Sequence, residues 1–436
     1  MRPGHFRERE YGIRYYRSST AGIGGRLRAQ PEDFHVNELQ EMDLKPLDAA
    51  TGDYPYLIVE VTLTDWDTHR FVDELASRLH IHPQRIGWAG TKDARAVTRQ
   101  RLSIRGIDPE DLPSIDGATF HAEGRLGRQL EFGDHGGNRF ELRDRGASGT
   151  ERIPTITDEL TNGDLTVFPN FFGPQRFGLP RPITHRVGKA IISDSYREAV
   201  RLYLAYSTRH EPTPTQEARG FIESVAFPED RWDEALERIP GYLHHERAMV
   251  EVLSSAGWAD EEACRAAIDA LPWSLQRLFV HALQSYLFNE IVSERIRRSV
   301  PLDRPVVGDL ICMVDTDGEV DTERPQRVDA ARLGLAQRHC DRGRAVVTGP
   351  LLGSETNLGE GVPGLIERAV FEHAGLEPTS FESDRRAHEG TRRPVGITTD
   401  VDVTDDPLTF RFDLPPGSYA TVVMREYLKG DPLEMA

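Results

Sequence analysis

The segment Gly87 to Ile104, "GWAGTKDARAVTRQRLSI", sets one carboxylate, Asp93, on a glycine-bearing turn among Lys92, Arg95, Arg99, Arg101 and Arg105. Nearby positive charge favours the ionised form of a carboxyl group. An ionised aspartate can serve as nucleophile or base, and it can equally be half of a salt bridge that ties the turn to the following strand. A second segment, "PNFFGPQRFG" (Pro169 to Gly178), interleaves Phe171, Phe172 and Phe177 with Asn170, Gln175 and Arg176. Three closely spaced phenylalanines are ordinary core material. Beside amide and guanidinium groups they also make a platform on which unpaired RNA bases stack and hydrogen-bond. Other chemistries fail on spacing. "GTKD" puts Thr before Lys and "GIGGR" at Gly22 opens no strand-helix unit, so neither is a phosphate loop. In "DTDGEVDTE" at Asp315 the glycine comes too early for a calcium loop, and no Cys or His pair has zinc spacing, His244 and His245 included. No metal site and no cofactor are expected.

The elements that must hold these residues follow from periodicity. "EDFHVNEL" alternates Phe34, Val36 and Glu38 on one face and predicts a short strand, and "YPYLIVEVTLT" (Tyr54 to Thr64) predicts a stronger one. In "DTHRFVDELASRLHI", Val72, Leu75 and Leu79 fall at helical spacing. After the Gly90–Asp93 turn, alternation predicts a strand with Arg99, Arg101, Ser103 and Arg105 on a cationic face and Leu102 and Ile104 on a packed one. "WSLQRLFVHALQSYLFNEIVSERI" predicts a long helix bearing Leu275, Phe279, Ala282 and Tyr286. The apolar-poor stretch Gly375 to Pro394 reads as a loop or domain junction. "FRFDLPPGSYATVVMREYL" reads as strand, turn and helix, with Ser418 at the N-cap. The class is α+β.

A chain of 436 residues exceeds one usual hydrophobic core, so two domains are expected, neither necessarily continuous. No run of about 20 apolar residues exists, as a membrane helix requires, and the start "MRPGHFRERE" lacks a signal-peptide core. Three scattered cysteines, Cys264, Cys312 and Cys340, fit a reducing compartment, and a soluble cytoplasmic protein is expected. Acidic residues number 71 against 53 basic, and Lys45, Lys92, Lys189 and Lys429 are the only lysines. An acidic, lysine-poor surface stays hydrated where salt screens charge, which predicts adaptation to high internal salt. An arginine-rich genome is the plainer source of the same bias. Net charge alone does not exclude a nucleic-acid partner; local clusters of Arg with aromatic residues decide.

Four segments, "AGTKDARAVTRQRLSI", "NFFGPQRFG", "QSYLFNEIV" and "LPPGSYATVVMREYL", with weaker support from "PEDFHVNE" and "GNRFELR", resemble the signature segments of the TruD family of tRNA pseudouridine synthases, in the family's order, over about residues 28 to 428. The resemblance implies a cofactor-free, metal-free isomerase that detaches uracil from its ribose and reattaches it through C5, at position 13 of tRNA. It implies Asp93 as nucleophile, and Phe34 and Asn170 as residues lining the uridine pocket. Tyr419 stands where bacterial members carry Phe, so the stacking role carries over and any hydroxyl chemistry does not. The implied fold is a pseudouridine synthase-type mixed, largely antiparallel sheet domain, residues 1–178 plus 394–436, interrupted by an inserted α+β domain, residues 179–393. The implied partner is tRNA, with no membrane and no obligatory protein partner.

The residues agree with that chemistry without completing it. Asp93 can attack C1′ or C6 of the nucleotide, or drive elimination across the ribose. A uridine inside folded RNA must be flipped out, and aromatic stacking offsets the cost; Phe34, Tyr419 and Phe172 are the candidates. Lys92 adds a charge beside Asp93. Arg95, Arg99, Arg101, Arg176 and Arg181 are candidate phosphate contacts, with backbone amides near Ser418 as further anion donors. Two other readings use the same residues. One is a non-catalytic RNA-binding protein. The other is a glycosidase-like hydrolase, which needs a second carboxylate that no sequence neighbour of Asp93 supplies.

Overall fold

The computed structural model describes residues 1–92, 94–316, 318–382, 386 and 389–435. Asp93, the proposed nucleophile, lies outside the described residues, as do five positions of the 375–394 stretch. The chain divides into two compact units, one of residues 18–168 and 397–436, the other of residues 1–17 and 169–396. Residues 1–17, 169–178 and 394–396, expected with the first unit, therefore group with the second. The backbone explains the difference: Gly4 N donates to Arg14 O and Arg14 N to Ser293 Oγ, so the N-terminal segment is fastened to a helix of the second unit.

The first unit is built on an eight-stranded sheet, which we number in chain order: β1 (Phe34–Leu39), β2 (Tyr56–Thr64), β3 (Ile86–Trp88), β4 (Val97–Arg105), β5 (Ala118–Leu126), β6 (Gly137–Arg143), β7 (Asp402–Asp405) and β8 (Leu408–Leu414). The order across the sheet is β7-β8-β6-β1-β4-β2-β5, with β3 also paired to β4. Every pairing is antiparallel except β1 with β4, where His35 faces Val97 and Asn37 faces Arg99. Apolar side chains of β2 and β4 pack with the helix Thr68–Arg78 as one cluster around Leu57, Val61, Phe71, Leu75 and Leu102. That helix is capped by Asp67, whose carboxylate accepts from Arg70 N. A second cluster joins Phe34, Val36, Ala96, Phe140, Phe168 and Phe410 to the helix Ala420–Leu428 through Ala420, Val423 and Tyr427. That helix begins after Tyr419, which occupies the N-cap in place of the expected Ser418 and makes no side-chain capping bond.

The second unit is mainly helical, with a four-stranded sheet whose central pair is Leu310–Met313 and Ala345–Leu351. Its long helix, Trp273–Arg297, runs 25 residues. Phe279 belongs to a core with Val187, Tyr203 and Trp232, whereas Leu283, Leu287 and Ile291 belong to another with Ile366 and Phe371. A helix with apolar residues on several sides is enclosed by partners. The stretch expected as a loop carries regular structure among its described residues: Thr391–Pro394 pairs antiparallel with Ala345–Leu351, and Arg386 is buried against Asp269 and Gln276 Oε1. Among the described residues no helix is long and apolar enough to cross a membrane.

Candidate active site

Among the described residues, β1 and β4 are the one parallel pair of the sheet. Two parallel neighbours begin at the same end of a sheet, so Phe34 at the start of β1 lies beside the residues that lead from the Gly90–Asp93 turn into β4. Phe34 and Ala96 accordingly share one cluster, which also contains Ala420, the first residue of the C-terminal helix. The register spreads these segments along the sheet: Phe34 is level with Leu142 and Phe410, whereas Glu38 is level with Asn138 and Leu414, from which the chain turns through Tyr419 into the C-terminal helix.

Phe34 is 2% exposed. The Arg28 guanidinium lies 3.9 Å above its ring and Phe140 meets it edge-on at 6.2 Å. The face expected to stack on a base is therefore covered by a cation in this structure. Tyr419 is half-buried and aromatic at the expected place.

Lys92 departs from expectation. Its side chain is 6% exposed and its ammonium lies 2.6 Å from Glu38 Oε2, itself on a side chain 1% exposed. Its amide donates to Thr68 Oγ1 at 2.9 Å. Lys92 is an internal fastening of the turn, neutralised before any phosphate reaches it. Glu38 sits near the end of β1, 54 residues away, level with the middle of β4 because Asn37 faces Arg99, and its contact with Lys92 is one that local spacing does not reveal. Beside this pair is His135, whose Nε2 would lie 3.1 Å from a Cβ added to Gly90, as would the Lys92 ammonium. The glycine thus permits a close approach that any side chain would disturb. Burial pushes the His135 imidazole below its ordinary value; Glu38 opposes that shift and Lys92 adds to it.

The cationic face of β4 is mostly spoken for. Arg99 pairs with Glu60 at 2.7 Å and Arg101 with Glu123 at 2.5 Å, while Arg101 also donates to Gln40 O. Ser103, expected beside the arginines, is fully buried, its hydroxyl accepting from Leu130 N. Arg95 and Arg105 are exposed and have no ion pair among the described residues.

In the second unit, Phe171 and Phe177 are fully buried, Phe177 stacking on Tyr11 at 5.1 Å. Phe172 is 6% exposed; Arg393 lies 4.2 Å and Arg176 5.7 Å from its ring centre. Asn170 is a structural clasp: its side chain donates to Pro394 O at 2.9 Å and accepts from Arg393 at 2.7 Å, and its amide donates to Val395 O. Arg176 donates to Ser285 Oγ at 3.2 Å. Arg181 is not available for phosphate, since it donates to the carbonyls of Tyr203 and Tyr206 and faces Glu211 and Glu246. A cavity of about 920 Å³ in this unit is lined by none of these residues.

Residues 10–427 match the family model of tRNA pseudouridine synthase D (TruD). A protein of Halobacterium salinarum named "Probable tRNA pseudouridine synthase D" is 45% identical over 443 residues, covering 100% of both chains. One of the same name from Natronomonas pharaonis is 46% identical over 438 residues, 99% of each. A TruD crystal structure from Methanosarcina mazei superposes with a TM-score of 0.83 at 35% identity, covering 98% of both chains. The chain belongs to the tRNA pseudouridine synthase D family.

Proposed function

We propose that the chain converts uridine to pseudouridine at position 13 of tRNA, with Asp93 as the nucleophile. The observation that carries this reading is the match to the TruD family over essentially the whole chain. In the reaction the N1–C1′ glycosidic bond breaks, a C5–C1′ bond forms, C5 releases its hydrogen to water and N1 regains a proton. No atoms enter or leave the nucleotide overall, so a carboxylate, an aromatic pocket and an RNA-gripping surface suffice. The unit of residues 18–168 and 397–436 is the catalytic domain on this reading, and the inserted domain occupies residues 179–393 of the other unit. Arg95 serves the RNA backbone, Phe34 and Tyr419 the uridine. Asn170, Phe172 and Arg176 act from the second unit, where Phe172 offers an aromatic ring flanked by guanidinium groups. The protein acts in the cytoplasm.

The hydrolase reading needs a second carboxylate free to activate water. Glu38 adjoins the turn but is held by Lys92. Transfer RNA tritiated at uridine C5 separates the readings, because only the isomerase releases label to water. Asp93→Asn preserves shape and removes the attacking oxygen, so tritium release should fall below detection while tRNA binding persists. Turnover above a few percent of wild type in a folded Asp93→Asn protein refutes the nucleophile assignment.

A further inference from the structure

We infer that Phe132 stacks on a tRNA base flanking the target uridine, an inference that rests on the function proposed above. Phe132 is 76% exposed, the most exposed large apolar side chain of the described residues. A single exposed apolar residue is unremarkable by itself; its mounting is what distinguishes this one. Asp134 N donates to Glu131 O at 3.1 Å, closing a turn with Phe132 and Gly133 at its tip. Gly133 has φ +103°, in the region that the third residue of a type II turn requires and glycine supplies. The turn is locked a second time by Asp134, whose carboxylate accepts from Glu131 N at 2.9 Å and pairs with Arg128.

The loop carrying this turn is fixed to the segment that bears Asp93. Gly133 N donates to Ala89 O at 2.7 Å, Gly136 N to Leu39 O at 2.7 Å and Leu130 N to Ser103 Oγ at 2.9 Å. His135, two residues past the tip, faces Gly90 and Lys92. The phenyl ring is thus held out to solvent by a loop whose backbone is bonded to β1, to β4 and to the residue just before Gly90. A rigidly presented ring gives up little conformational entropy when it takes up a partner. Extracting a uridine from folded RNA leaves its neighbours without a stacking surface, and an aromatic face beside the catalytic turn replaces it. Glu131 and Asp134 flank the tip, so the contact is to a base face rather than to phosphate.

The test compares Phe132→Ala, Phe132→Leu and Phe132→Trp, with tritium release from tRNA as one readout. The second is fluorescence of tRNA carrying 2-aminopurine next to the target uridine, which changes when the base unstacks or stacks on a ring. Ala and Leu should each lower kcat/KM about 5- to 150-fold, equivalent to about 1–3 kcal/mol, because Leu keeps apolarity but not a π face. Trp should stay within about threefold of wild type. Thermal midpoints should not move, since the ring buries almost nothing. Wild-type kcat/KM in both Ala and Leu variants overturns the inference. If wild type itself releases no tritium, the isomerase reading fails, and the fluorescence still decides: a binding response equal in wild type and Phe132→Ala overturns the base contact, and its loss supports it.

Discussion

Glu38→Gln tests whether the Lys92–Glu38 pair is an internal fastening or a surface decoration. Exposed ion pairs contribute about 0–1 kcal/mol, whereas removing one member of a buried pair costs about 3–5 kcal/mol because the other charge is left uncompensated. With side chains 6% and 1% exposed and 2.6 Å between charged atoms, the structure puts this pair in the second regime. Lys92 is moreover the only hydrogen-bond partner of the Glu38 carboxylate among the described residues; its second oxygen, Oε1, is buried without one. Glutamine keeps the shape but turns a neutral amide toward an ammonium. We expect a loss of about 3–5 kcal/mol, a large share of the about 5–15 kcal/mol that holds a domain, with the amides of Ala89 to Lys92 losing hydrogen-exchange protection first. Molar salt should not erase the loss, because buried charges are poorly screened, whereas Arg99→Ala, which breaks a pair whose arginine is 53% exposed, should cost little in such salt. Urea unfolding and hydrogen exchange of wild type, Glu38→Gln, Lys92→Met and the Glu38→Gln/Lys92→Met double variant close the cycle. The double variant should cost clearly less than the sum of the singles. A single-variant loss below about 1 kcal/mol, or strict additivity, would refute the reasoning.

The same geometry separates the cations in RNA binding. Arg95→Ala should weaken tRNA affinity and flatten the slope of log affinity against log salt by about 1, while Lys92→Met leaves that slope unchanged because its charge is already neutralised; equal slopes for the two variants would contradict this, as measured by filter binding across a salt series. Asp144 makes a pH prediction. Burial pushes its carboxyl up to about 7, both of its oxygens being buried with no hydrogen-bond partner among the described residues. Between about pH 4 and 7 the folded protein then holds a proton that the unfolded chain has released, so stability falls as pH rises through that window and levels off above it, by about 4 kcal/mol at most. Asp144→Asn should remove this slope and be the more stable protein at pH 8, which thermal unfolding at several pH values would check.

Period-2 alternation was sufficient to find the strands around the turn, and helical spacing after Asp67 was sufficient to find the helix, because each depends on burial of one face by nearby residues. Contacts across the sheet were not legible in the same way. Glu38 meets Lys92 through the order and register of segments far apart in sequence, and nothing local distinguishes a parallel from an antiparallel neighbour. Ser103 shows the same limit: alternation assigned it to the arginine face, yet Leu130 N reaches it from a loop beyond the next strand and makes burial cheap by satisfying the hydroxyl. In "NFFGPQRFG" the resemblance marks Asn170, and the residue types mark a platform with Phe172 as a candidate, but which rings face inward is set by Tyr11, far away in sequence, and by His185 on the helix that follows. Phe132 went unnoticed because a lone phenylalanine among Gly, Asp and His carries no period. The turn chemistry around it, Glu131 to Gly136, was the available signal.

Arginine content alone does not mark an RNA-binding surface on this acidic chain, and the reason is chemical. A guanidinium has five donors in a planar fork and stays charged when partly buried. Here it repeatedly fastens backbone carbonyls: Arg125 to Leu47, Arg219 to Tyr203 and Leu204, Arg247 to Leu236 and Ile239, and Arg392 to Thr348 and Asn357. The other nitrogens of the fork can hold carboxylates at the same time, as Arg219 holds Glu211 and Glu246, a spread that a lysine's single nitrogen lacks. Replacing lysine by arginine therefore supplies internal staples as well as surface charge, and the β4 stripe spends two of its arginines on carboxylates. What remains for phosphate along β4 is the smaller set without ion pairs among the described residues, Arg95 just before its start and Arg105 at its end. Binding that depends on few cations loses fewer counterions, so its affinity declines gently with salt. An enzyme working in high salt would then draw more of its grip from stacking, which salt does not screen, and this places the functional weight on exposed or cation-flanked rings such as Phe132 and Phe172.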